Sequence, residues 1–124
     1  MSDGNPTPTA NEPVEALYVG APEASAAERA AEMSQARRLA DRYRLDFIDL
    51  SQASIDHELF RAIPADLMLR YGFVPYRRDG HTLVIVVSDP TDLPMIDELT
   101  VLLGTPIRVT VGTASAIQAM LNKS

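Results

Sequence analysis

Residues 73–88 read FVPYRRDGHTLVIVVS, and the sheet follows from them. Two apolar runs, about 73–78 and 82–88, flank Asp79-Gly80. An Asp-Gly step between apolar strands is a strong two-residue hairpin signal. Pro75 has no N–H to give to a ladder, so the first strand is expected at an edge. Leu83-Val84-Ile85-Val86-Val87 is continuous rather than alternating. Such a run predicts a central strand covered on both faces.

On the C-terminal side, Asp89-Pro90-Thr91-Asp92-Leu93-Pro94 turns the chain into a helix. Leu93, Ile96, Leu99, Leu102 and Leu103 are its expected buried stripe. Gly104-Thr105-Pro106 ends it. Residues 106–111 form the next strand, with Ile107–Val111 laid beside Leu83–Val87 by a parallel crossover. Thr113 is expected to cap a last helix, Ala114–Asn122, with Ile117, Met120 and Leu121 facing inward.

On the N-terminal side, Pro64 opens a short helix, Ala65–Tyr71, and Gly72 closes it at the left-handed position. Ser54 is expected to cap the helix before it, which carries Ile55, Leu59 and Ile63. Leu45–Leu50 (LDFIDL) reads as a short extended segment. Ser25-Ala26-Ala27-Glu28 is a capping box. It predicts a helix to about Arg44, with Ala26, Ala30, Met33, Ala36, Ala40 and Tyr43 on one thin, alanine-rich face. Residues 1–24, with Pro6, Pro8, Pro13 and Pro22, read as a flexible acidic leader. The expected fold is α+β. A small three-stranded mixed sheet packs with helices, residues 25–72 form a helical part, and residues 25–124 make one domain.

The chain has 124 residues and no cysteine, so disulfide scaffolds, thiol catalysis and cysteine metal sites are excluded. No apolar run approaches the roughly 20 residues of a membrane span. No signal pattern precedes the domain, so a cytoplasmic location is expected. The net charge of −6 is uneven. Asp3, Glu12, Glu15 and Glu23 sit in the leader without a cation, and the rest is close to balance. Such a domain is not expected to bind nucleic acid or anionic lipid, both of which select basic surfaces.

Catalytic patterns are missing. Six glycines and one lysine, Lys123, make no phosphate-binding loop, and no dinucleotide fingerprint occurs. No G-x-S-x-G elbow is present. His57 and His81 stand apart, without metal spacing. Asp89 and Asp92 follow the end of a central strand, where α/β sites gather. A turn before proline and a helix cap already account for them. The distinctive group is arginine. Arg37, Arg38, Arg42 and Arg44 cluster late in the first helix, where some are expected to pair with Glu32, Asp41 or Asp46. Arginine makes bidentate contacts to carboxylate or phosphate. These four are the expected partner surface.

From Leu39 to Leu121 the chain resembles the N-terminal domain of the general secretion pathway E and type IV pilus assembly ATPases. Leu45-Asp46-Phe47-Ile48-Asp49-Leu50 is similar to that family's L-x-F-x-D-L. Ile63-Pro64 and Phe73-Val74-Pro75 follow in order. Val84–Asp92 (VIVVSDPTD) resembles its V-A-x-x-D-P-x-D.

The resemblance implies a non-catalytic, bacterial docking or regulatory domain in front of a motor. Its partners would be the cytoplasmic part of an inner-membrane platform protein and the ATPase domain of the same parent chain. ATP would bind only in that missing domain. The resemblance places the chain at the cytoplasmic side of the inner membrane, held there through partners, and implies a monomer in isolation. One branch of the family binds cyclic di-GMP through R-L-G-x-x-L-x-x-x-G segments upstream of L-x-x-A-L. Here Val14–Glu32 contains no Arg-Leu-Gly, and Gln35 and Arg38 stand where that branch has Leu and Ala. No cofactor is therefore expected. The alternative is a sensor of cyclic di-GMP or another nucleotide, attached to a motor, glycan synthase or signalling protein. Its phosphate contacts would be Arg37, Arg38 and Arg42.

Overall fold

A computed structural model describes residues 25–123. The leader expected over residues 1–24 lies outside the described residues. The chain divides into two compact units, Met1–Ala30 and Ala31–Ser124. In the first, Ser25 and Glu28 form the expected capping box. The Glu28 N–H donates to Ser25 Oγ at 3.1 Å, and the Ser25 N–H donates to Glu28 Oε1 at 2.9 Å. That backbone donor, helped by the Ser25 hydroxyl, holds the Glu28 carboxyl below its ordinary range.

Helix α1 (Ala26–Arg42) is followed by α2 (His57–Ala62), α3 (Ala65–Tyr71), β1 (Phe73–Asp79), β2 (Thr82–Val87), α4 (Leu93–Leu103), β3 (Ile107–Val111) and α5 (Ala114–Asn122). The fold is α+β. The sheet runs β1-β2-β3, with β1 antiparallel and β3 parallel to the central β2. Pro75 lies on an edge strand, as expected, and the register shifts between Pro75 and Arg77. A bulge here spares the ladder the donor that proline lacks. The hairpin turn sits one residue later than Asp79-Gly80. Asp79 pairs with Thr82, so Gly80 and His81 make the turn. Gly80 has φ +64, at the position a II′ turn reserves for glycine.

Leu83 through Val87 are all buried, so the central strand is covered on both faces. Phe73, Val74, Met68, Leu99 and Ile117 join them in the core. Thr110 and Thr113 are the buried polar residues among those described, and the Thr110 hydroxyl donates to the Ile85 carbonyl at 2.7 Å. Residues 45–48 continue the sheet beyond β3. The Ile48 N–H donates to the Val111 carbonyl, and the Val111 N–H donates to the Asp46 carbonyl.

Several local expectations are corrected. Asp56, not Ser54, caps α2 by accepting from the Leu59 N–H, because that helix starts two residues later than Ser54 would place it. Helix α1 ends at Arg42 rather than Arg44. Arg44 turns left-handed at φ +58. The Leu45 N–H reaches back to the Ala40 carbonyl and the Arg44 N–H to the Asp41 carbonyl. That pair of bonds is a Schellman stop, usually built on glycine. On α1 only Ala36 and Ala40 are fully buried, against Val111 with Leu45 and Phe47. Ala26, Ala30 and Tyr43 are exposed. On α4, Leu99 is buried, but Leu93 and Leu102 are exposed, and Met95 packs on the core instead. The helix turns a narrower stripe inward than its leucines suggested.

The terminal caps hold. Asp92 accepts from the Met95 N–H and Thr113 from the Ala116 N–H. Gly72 and Gly104 close α3 and α4 in the left-handed region. Among the described residues, no helix is long and apolar enough to cross a membrane.

Candidate functional site

The four arginines are not one patch. Arg38 and Arg42 share a row of α1 with Gln35 and Leu39, the i, i+3, i+4, i+7 pattern of one helix face. This row lines a shallow depression of about 420 Å³. Arg37 lies round the helix from them, its guanidinium 4.5 Å from the centroid of the Phe47 ring. A cation over an aromatic face is attracted by the ring quadrupole, so Arg37 helps to fasten α1 to residues 45–48. Arg44 sits past the helix end, on the left-handed stop.

The expected ion pairs with Glu32, Asp41 and Asp46 do not form. An ion pair joins Arg108 to Asp79 at 3.2 Å. Glu32 instead accepts from the Ser115 N–H at 3.1 Å. Arg38 and Arg42 therefore project from α1 without a carboxylate partner among the described residues. Two guanidiniums one helical turn apart, beside a half-buried Leu39, can clamp a carboxylate or phosphate. Sequence reasoning found the arginines but missed Gln35 and Leu39 as their neighbours, although the 3–4 spacing was available. It also missed Phe47 as the seat of Arg37, a pairing across the helix end that spacing cannot reveal.

The other polar groove lies at the carboxyl end of β2. It has about 480 Å³ and is lined by Arg70, Tyr71, Asp89, Asp92, Met95 and Glu98 among others. Its carboxylates are committed. Asp89 accepts from the Thr91 backbone and hydroxyl, and Asp92 caps α4. Glu98 accepts from the Tyr71 hydroxyl at 2.7 Å. That bond, with some burial and the Glu98 charge, pushes the Tyr71 phenol up, against a smaller opposing pull from Arg70. His57 and His81 are both exposed. Among the described residues, no three His, Asp or Glu side chains gather as a metal site.

The MshEN domain family matches residues 43–124. The match takes in Arg44 and stops short of Arg37, Arg38 and Arg42. The type IV pilus assembly ATPase PilB of Myxococcus xanthus (strain DK1622) is 22% identical over 85 residues, which are 68% of this chain and 15% of PilB. The structure of MshE with cdg is similar at a TM-score of 0.67 and 26% identity, over 72% of this chain and 65% of that one. The N-terminal domain of XpsE has the same fold, at a TM-score of 0.62 and 20% identity over 73% of this chain and 64% of its own. The chain thus spans about 15% of the length of its curated relative.

Proposed function

This chain belongs to the MshEN domain family, and we propose that it is a non-catalytic docking and regulatory domain of a type II secretion or type IV pilus assembly ATPase. It binds the cytoplasmic part of an inner-membrane platform protein and carries the ATPase domain of its parent chain. In this reading it works at the cytoplasmic side of the inner membrane and holds no cofactor of its own. The observation that carries the reading is the row of Arg38 and Arg42 on α1, exposed and without a carboxylate partner among the described residues. Arg37 and Arg44 flank that row. The relatives to which the chain is similar, PilB, MshE and XpsE, support the setting. The test is binding of the platform's cytoplasmic domain to the wild type and to a variant carrying Arg37→Glu, Arg38→Glu and Arg42→Glu. Weakened binding with an unchanged circular dichroism spectrum supports the reading. Unchanged affinity removes this surface.

A second reading is cyclic di-GMP sensing, favoured by the likeness to MshE, which was solved with cdg. The same arginines would take its phosphates. A backbone-amide NMR titration with cyclic di-GMP separates the two. Saturable shifts centred on residues 37–44 establish the sensor, and no shifts at millimolar ligand leave protein docking.

A further inference from the structure

Helix α4 presents an unpartnered face. Leu93 is 62% exposed, Val101 79% and Leu102 52%. Leu93, Asp97 and Val101 follow one another at i, i+4 and i+8, so they form a single outward ridge. Glu98 stands beside it. The helix, LPMIDELTVLL, contains no Lys or Arg. The face is therefore apolar and negative.

Helix α1 presents the complementary face. Arg38 and Arg42 sit one turn apart, and no carboxylate of the described residues pairs with them. Leu39 lies in the same row, and Tyr43, 47% exposed, follows at the helix end. This face is apolar and positive. Two guanidiniums one turn apart match a ridge whose middle residue is Asp97, and Leu39 and Tyr43 match Leu93 and Val101.

We propose that these faces are the two halves of a contact between copies of this chain, the arginine row of one seated on the α4 ridge of the next. Charge complementarity names the occupant. Arg38 and Arg42, which pair with no carboxylate among the described residues, gain that of Asp97, and the exposed α4 leucines gain cover. The contact is heterologous, because different patches of each copy meet, so it propagates from one copy to the next. It is also small, one helix face on another, which belongs to the weak class of interfaces. A dilute isolated chain stays monomeric. Copies held side by side in a larger assembly reach millimolar effective concentrations, where such a contact is occupied. The arginine row then serves either a neighbouring copy or an outside partner, one at a time.

The test is sedimentation equilibrium of the full chain from about 10 μM to about 1 mM, at low and high salt, since screening weakens exposed charge pairs. Association in the upper range that falls at high salt is expected. Two variants are then compared, Arg38→Glu with Arg42→Glu, and Asp97→Lys with Val101→Lys. All four sites are exposed, and amide spectra check the fold. Each variant alone is expected to lose association at least tenfold. Their equimolar mixture is expected to regain it, because the intact α4 of the first meets the intact α1 of the second. A wild type that is monomeric at 1 mM, variants that associate unchanged, or a mixture that stays monomeric each overturn the proposal. No platform protein or nucleotide enters the experiment, so its failure leaves the proposed function standing.

Discussion

Glu32 of α1 accepts a hydrogen bond from the backbone N–H of Ser115, the second residue of α5, at 3.1 Å. Thr113 takes the next N–H, that of Ala116. Two of the free donors at the start of α5 are thus satisfied by side chains, one from its own cap and one from a helix 83 residues away in sequence. The negative charge also suits the positive end of the α5 dipole. Together with Ala36 and Ala40 on Val111, this bond fixes the registry of α1 on the sheet.

Glu32→Ala is expected to destabilise the chain by about 1 kcal/mol, the usual cost of a lost N-terminal cap. Glu32→Gln keeps an acceptor and loses only the charge, so it should cost about half as much. Urea unfolding of the three proteins checks the order. Equal stabilities for all three would mean the bond is replaced by water without loss.

Gly112→Ala tests a close backbone approach in the core. A Cβ on Gly112 would come within 2.6 Å of Val86 Cγ1 and 3.4 Å of the Ile48 carbonyl oxygen. Val86 is fully buried in the central strand, so it has little room to give. Overpacking of this kind costs about 1–3 kcal/mol. Val86→Ala in the same chain opens the space, and the double variant should be more stable than the sum of the single losses predicts. Denaturant midpoints of the four proteins measure the coupling.

The sheet was legible in residues 73–111 because each strand carries its own signal. Leu83–Val87 is apolar at every position, Pro75 marks the edge, and Asp92 and Thr113 announce the helices. The errors on α4 and in the arginine cluster came where partners distant in sequence intervene. Leu93 and Leu102 look like core, but only the Leu99 side of α4 meets the sheet, and periodicity does not give the width of a contact. Ser54 and Asp56 are both good caps, and the choice went to the residue whose carboxylate meets the Leu59 N–H. The arginine cluster was legible as composition, yet its division was not. Arg37 goes to Phe47, Arg38 and Arg42 go outward, and Arg44 goes to the helix stop, because helical rotation and a cross-element aromatic contact set each direction.

Tyr71 is expected to titrate above the ordinary tyrosine value of about 10. Its hydroxyl donates to Glu98, and that bond exists only in the protonated phenol. A folded value raised above the unfolded one means that the stabilisation is fully present below about pH 10 and is lost as the pH rises through the folded value. Ultraviolet titration of phenolate in wild type and Tyr71→Phe identifies the late-titrating group by its loss. In Glu98→Gln the carboxylate charge is gone, and the Tyr71 titration should move down toward the ordinary range.

Arg44→Gly separates a backbone role from a binding role. Arg44 holds φ +58, where a Cβ meets steric resistance, and the Schellman bonds of Leu45 and Arg44 require that conformation. A left-handed residue with a side chain costs about 1–2 kcal/mol, and glycine gives back part of the gain through its freer unfolded chain. Arg44→Gly should therefore stabilise the fold by up to about 1 kcal/mol. Arg44→Ala keeps the strain and removes the charge, so its stability should match the wild type closely. If the guanidinium of Arg44 takes part in partner docking, both variants lose affinity equally although their stabilities differ. If only Arg38 and Arg42 dock, both bind as the wild type does. Thermal unfolding and a binding isotherm on the same three proteins read the two effects independently.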